Sequence, residues 1–271
     1  MITLRRGDRL PTVAVLQSYL NQVPSTAEYL SVDGIFGRYT AGAVERFRSA
    51  NRLGRSEIVD YEVWRRVVGA EWQIIDSVDR TDHDSRRHAI LDHEDLAPYG
   101  QTVLEQFGLS QGAPVVLSTI HSRARIGQVV LLRFHGHGGP GEMIVSSGRS
   151  GNRGSSFDHR YGAGFFEALR VLRPIFASFG SVEMHGCRVG QGAAGRALLS
   201  GMANALGVPV TGALRSQLGG GRTTFKFEGP TVTICPGGES LPNWSRRVGT
   251  VSMPRPLLHR PAGAPAARPR P

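Results

Sequence analysis

Val129-Val130-Leu131-Leu132-Arg133-Phe134-His135-Gly136-His137-Gly138-Gly139-Pro140-Gly141 and Ser181-Val182-Glu183-Met184-His185-Gly186-Cys187-Arg188-Val189-Gly190 share one layout. Each opens on an apolar, β-branched run and breaks into a glycine-flanked loop, as a buried strand does where it reaches the surface. Ligand and active sites of α/β sheets gather at such strand ends. If the two strands are neighbours, the histidines of the first loop meet Cys187 of the second. A thiol is a poor nucleophile until it loses its proton. A nearby imidazole takes that proton or steadies the thiolate, which is why Cys and His serve together in acyl transfer.

Outward from these strands, Trp72–Ile75 and Val115–Leu117 read as further short β runs, with Val208–Thr211 as another. Phe165, Phe166, Leu169 and Leu172 have helical spacing, and Ala194–Leu206 reads as a helix. Strands alternating with helices predict a mainly parallel sheet. Thr223–Phe227 and Thr231–Ile234 flank Glu228-Gly229-Pro230, which reads as a late antiparallel hairpin. Cys235 follows its second strand without a nearby histidine and reads as a structural residue.

The grammar before residue 70 is different. Leu10, Val13, Leu16, Leu20 and Val23 recur at three- and four-residue steps behind Pro11, a residue suited to a first helical position, so a helix is expected over 11–22. Asp33-Gly34-Ile35-Phe36-Gly37 is a glycine-punctuated turn, and Thr40 is expected to cap a second helix over 40–51 with Ala43, Val44 and Phe47 on one face. Asp60 is placed to cap a third, short helix that buries Val63, Trp64 and Val67.

The spaced pattern Leu4, Gly7, Val13, Leu16-Gln17, Leu20, Asp33-Gly34-x-Phe36-Gly37-x-x-Thr40-x-x-Ala43-Val44-x-x-Phe47, Leu53 and Trp64 resembles the peptidoglycan-binding domain appended to wall hydrolases. The resemblance implies a three-helix module whose motif residues are Asp33, Gly34, Phe36, Gly37 and Thr40, with peptidoglycan or its fragments as partner. Much of that motif has a structural reason: Asp33-Gly34 turns the chain, Phe36 plugs the bundle, and Gly37 is expected to permit a tight approach. Arg48 stands where the family commonly has Gln.

The pair of strand-ending loops resembles the caspase-like cysteine peptidases, in which a hydrophobic strand leads to Gly-His-Gly and a later strand to a cysteine. A closer similarity is to a bacterial domain of unknown function in that clan, with His-Gly-x-Pro-Gly followed by a Gly-Cys motif, here His137 to Gly141 and Gly186-Cys187. That likeness selects His137 over His135. It implies that Cys187 attacks a peptide carbonyl, that His137 protonates the leaving amine, and that the amides of Gly138 and Cys187 hold the oxyanion. No acidic residue is marked out to bind a basic side chain, although Asp158 lies in an intervening loop.

The period-two spacing of His135, His137, His185 and Cys187 also offers four zinc ligands, a rival reading. A metallo-hydrolase of the His-x-His-x-Asp-His type does not fit, because Gly139 and Pro140 stand where Asp and His are required. Asp76 to Asp95, with His83, His88 and His93, has no cation-loop spacing and reads as a solvated connector. The dyad needs no metal and no cofactor.

The 271 residues, 40% of them apolar, suffice for two folded units. The net charge of +10 is carried almost wholly by arginine, Lys226 being the one lysine. That balance favours anionic partners non-specifically, and no aromatic-interleaved basic patch points to a specific nucleic acid. No stretch is long and apolar enough to span a bilayer, and the start lacks the apolar core of a signal peptide. Location is therefore expected to be cytoplasmic, or at the wall through non-classical export. Two cysteines in so long a chain read as free thiols.

The sequence thus predicts an α+β multidomain protein: a three-helix module over 1–69, a caspase-like α/β domain with a mainly parallel sheet over 70–248, and a disordered Pro/Arg-rich tail over 249–271. The expected function is a cysteine endopeptidase acting on protein or peptide, targeted or regulated by a peptidoglycan-binding module. The alternative is a non-catalytic wall-binding or adaptor protein on an inactive scaffold. Cleavage of peptidoglycan stems themselves follows only from the adjacency of the two domains.

Overall fold

The computed structural model describes residues 3–23, 29–67, 72–79, 101–106, 108–146, 156–217 and 227–248. Residues 223–226 of the expected hairpin, residues 80–95 of the expected connector and the basic tail lie outside them, whereas Asp76–Asp79, expected in that solvated connector, end a buried strand instead.

Three helices form first: α1 (Pro11–Gln22), α2 (Arg38–Ala50) and α3 (Tyr61–Val67). Pro11 sits in the first turn of α1, where its missing N–H costs nothing. Asp60 caps α3, accepting from the backbone N–H of Val63 at 3.2 Å. Thr40 does not cap α2. Gly37 is the N-cap, and Thr40 lies buried in the first turn, where its hydroxyl accepts from Gln17 Nε2 at 3.1 Å. That hydroxyl is therefore committed to holding the turn before α2 against α1.

Beyond the module the strands are β1 (Gln73–Asp79), β2 (Gln101–Gln106), β3 (Val129–His135), β4 (Gly138–Gly139), β5 (Glu142–Ile144), β6 (Ser156–Asp158), β7 (Phe176–His185), β8 (Val210–Ala213) and β9 (Thr231–Ile234). Between them run helices α4 (Gly108–Arg123, broken at Gly112), α5 (Gly162–Leu169) and α6 (Gly192–Leu206), and α7 (Leu241–Val248) follows β9. Val115–Leu117, expected as a strand, belongs to α4, where Val116, Leu117 and Ile120 are buried as one helical stripe. A short apolar β-branched run does not by itself distinguish strand from helix.

The main sheet has the order β2-β1-β3-β7-β8-β9 and is parallel except for β9, which pairs antiparallel to β8. β4, β5 and β6 form a small antiparallel sheet beside its C-terminal edge. The architecture is the α+β multidomain arrangement with a mainly parallel sheet that the sequence predicts. One face of the sheet packs on α4, α5 and α6 through Ile75, Leu132, Phe134, Val182 and Met184.

The other face receives the helical module. Trp72 sits between Tyr19 of α1, at 5.1 Å edge-on, and Phe179 of β7, at 4.8 Å. Ile74, Leu131 and Phe179 thereby join the same buried cluster as the module's own Val13, Leu16 and Phe36. α7 closes this side against the Asp33-Gly34 turn. Gly34 has φ +74°, and a Cβ there would stand 2.9 Å from Ser245 Oγ and 3.0 Å from Leu241 Cγ.

Candidate functional site

Parallel pairing fixes what the two loops share. His135 of β3 is in register with His185 of β7, so the residues two places further on, His137 and Cys187, leave the sheet at the same level of its C-terminal edge. The glycines make this possible. A Cβ on Gly138 would lie 3.2 Å from the backbone N of Cys187 and 2.6 Å from Val189 Cγ2, so the backbone of the first loop rests directly on the second. A Cβ on Gly186 would meet Met143 Sδ at 2.6 Å, and one on Gly136 would meet the Ile144 carbonyl at 2.6 Å.

Backbone bonds hold both loops in place. The N–H of Ile144 donates to the His137 carbonyl at 2.8 Å, and that of Gly141 donates to the Val189 carbonyl at 3.1 Å. After Cys187 the chain turns through Arg188, a non-glycine residue at φ +57°, whose N–H donates to the Arg215 carbonyl at 3.0 Å. A left-handed residue beside a candidate nucleophile is the kind of strain that functional turns carry.

The His137 ring is exposed and Cys187 is partly exposed. The Cys187 sulfur accepts from the Gln217 N–H at 3.3 Å and donates to the Gln217 carbonyl at 3.3 Å. Among the described residues the imidazole and the thiol share no hydrogen bond, although their loops touch. The Cys187 amide likewise has no backbone acceptor among the described residues.

Beneath this edge, on the module-facing side, the sheet carries a layer that sequence reasoning missed. Asp76, Arg133 and Glu183 stand in register across β1, β3 and β7, with His135 and His185 in the next row up. All five are buried. Arg133 donates to both oxygens of Asp76, Nε at 2.5 Å and Nη2 at 2.9 Å, and His135 Nε2–H donates to the same carboxylate at 2.9 Å. His185 Nε2–H donates to Glu183 at 2.8 Å, and its ring stacks between those of His135 at 5.0 Å and Phe227 at 4.4 Å.

Burial alone would raise the Asp76 carboxyl, yet Arg133 and His135 hold it well below the usual carboxylate range. Burial pushes His135 down to about 4 despite its bond to Asp76, so at neutral pH it is an uncharged ring inside the sheet. His135 therefore cannot act as a surface base. The zinc reading loses its geometry as well. His135 and His185 turn into the sheet face and spend Nε2 on carboxylates, away from the loops of His137 and Cys187. The one signal of this layer in the sequence is a polar, ionisable residue type at every second position of two apolar strands, Arg133/His135 and Glu183/His185.

The other sequence expectations fall as follows. Asp158 is buried at the end of β6 and bound by Arg160, so it is not offered to a basic substrate side chain. Cys235 is a buried free thiol pushed up to about 12, chiefly by burial and then by Glu239.

In the module, Gln17 ties the motif together. Its Nε2 donates to Asp33 Oδ1 at 2.9 Å and to the Ile35 carbonyl at 3.0 Å, and its Oε1 accepts from the N–H groups of Asp33 and Gly34 at 3.0 Å each. Phe36 is fully buried, as a plug should be. A Cβ on Gly37 would meet nothing within 4 Å, so the tight approach expected there belongs to Gly34 instead.

Residues 9–67 match the family model described as "Putative peptidoglycan binding domain", and the chain carries that domain at its N-terminal end. No curated protein and no solved structure matches the chain.

Proposed function

We propose that the α/β region is a caspase-like cysteine endopeptidase in which Cys187 and His137 form the dyad, and that the peptidoglycan-binding module targets or regulates it. In this reading the chain divides at 1–69, 70–248 and 249–271, and the dyad acts without a metal or cofactor. The observation that carries it is the placement of two glycine-flanked loops on adjacent parallel strands, with the backbone of Gly138 against that of Cys187.

The chemistry follows from the residue types. The His137 ring takes the thiol proton, and the Cys187 sulfur bonds to the peptide carbonyl carbon. The amides of Gly138 and Cys187 face the developing oxyanion, a contribution of about 3 kcal/mol per donor in comparable sites. His137 returns the proton to the leaving amine as the C–N bond breaks. Water then cleaves the thioester, giving a carboxylate and restoring the thiol. Productive contact requires the His137 ring to turn onto the sulfur and the sulfur to leave Gln217, and apo sites often tighten only around substrate.

The Gln217 contacts favour a second reading, a non-catalytic wall-binding or adaptor protein in which that segment permanently occupies the thiol. A thiol-reactive peptide probe separates the two. Covalent labelling at Cys187 that is lost in His137→Ala supports the peptidase; a Cys187 that resists the probe in the folded chain supports the adaptor.

A further inference from the structure

A cleft of about 230 Å³ opens between the two parts of the chain, on the face that bears the charged layer. The module's first residues, with Arg5, Asp8 and Arg9, form one wall, and Phe227 with Gly229–Thr231 forms the other. Glu183 of β7 also lines it. None of these walls belongs to the His137–Cys187 edge. We infer that this cleft is a binding site for a small zwitterion, the free end of a short peptide or an amino acid.

The charges set the ligand class. Glu183 is buried, with its carboxylate held by His185 at 2.8 Å and its side chain only 5% exposed. A carboxylate as buried as that of Glu183 attracts a cation far more strongly than one on the surface. Arg5 and Arg9 are exposed and line the cleft with Asp8, whose carboxylate accepts from the Arg5 backbone N–H at 2.8 Å, and their guanidinium groups suit a ligand's carboxylate. An ammonium toward Glu183 and a carboxylate toward Arg5 and Arg9 are one molecule's two ends, and the volume admits something of dipeptide size. Phe227, stacked on His185 with its ring 9° from parallel, supplies the apolar side. A purely anionic glycan would satisfy the arginines and leave an ammonium's place at Glu183 unused.

The site rests on and deepens the peptidoglycan-binding part of the proposed function, because peptides released from the wall carry such ends, and it is independent of the thiol chemistry. The experiment uses full-length Cys187→Ala protein, so that turnover plays no part, titrated calorimetrically with D-Ala-D-Ala and L-Ala-L-Ala, and with their N-acetylated and C-amidated forms. The expected result is saturable binding of a free dipeptide that weakens at least tenfold on N-acetylation, on C-amidation and in Arg5→Ala/Arg9→Ala, whose exposed positions leave the fold intact. Preference for the D,D form assigns the site to free peptide fragments of the wall; preference for the L,L form assigns it to ordinary peptides. Equal binding of free and acetylated dipeptides, or no heat up to millimolar ligand, overturns the inference. Peptide turnover by the unmodified chain would stand in either case.

Discussion

Replacing Arg133 by Met is the sharpest test of the charged layer. Arg133 is among the largest fully buried side chains, and both of its bonds to Asp76 are made where no water reaches. Methionine fills much of the volume and leaves the Asp76 carboxylate buried without its guanidinium partner. Removing one member of a buried pair costs about 3–5 kcal/mol, a large share of the roughly 5–15 kcal/mol by which domains are stable. The cost should depend on pH. Burial raises the carboxyl once Arg133 is gone, so acidification neutralises it and the variant approaches the parent as pH falls. Adding Asp76→Asn removes the stranded charge but keeps an acceptor for His135, and should recover most of the loss. Urea unfolding followed by the fluorescence of the buried Trp64, Trp72 and Trp244 measures all three proteins. A single variant costing under about 1 kcal/mol, or a double variant no more stable than the single, would refute the reasoning.

Three further outcomes follow from the same contacts. Because His135 is pushed from its ordinary 6.5 to about 4, the unfolded chain binds a proton between those values that the folded chain does not. Stability should therefore fall on the order of 3 kcal/mol as pH drops from 6.5 to 4, and His135→Asn should flatten that slope in pH-dependent urea melts. Asp76 adds a second loss as pH falls through and below the ordinary carboxylate range, since the unfolded chain then protonates a carboxyl that the folded chain keeps ionised. Trp72→Ala should cost about 3–5 kcal/mol and weaken the module's hold on the sheet, seen as a thermal transition that splits in two. Gly138→Ala should abolish turnover while costing about 1–3 kcal/mol in stability, because its Cβ would meet Val189 and the Cys187 backbone; full activity in that variant would argue against the loop contact.

Much of this was legible in the residues. The span of α1, the Asp60 cap and the strand over Thr231–Ile234 follow from local periodicity and capping, which tertiary contacts did not override. The strand before Cys187 was legible only from Val182. Its first part, Phe176–Ser181, passes a register irregularity against β3 at Val129/Leu131, where Gly180 lies so close to the Val129 carbonyl that a Cβ would stand 2.8 Å from it. Glycine and serine in that stretch weaken a strand pattern. The buried charges were illegible because a lone strand does not say which polar residues will find partners. Asp76 and Arg133 are 57 positions apart and meet only through sheet order. The cleft, too, depends on how the module and the β9 end come together, which no local pattern encodes.

The most direct measurement is turnover of a mixed peptide library by the purified chain beside Cys187→Ala and His137→Ala, each with and without a chelator. The account predicts peptide cleavage by the parent, loss of it in both variants, and indifference to the chelator. Cleavage that survives Cys187→Ala, or that the chelator abolishes, would contradict it.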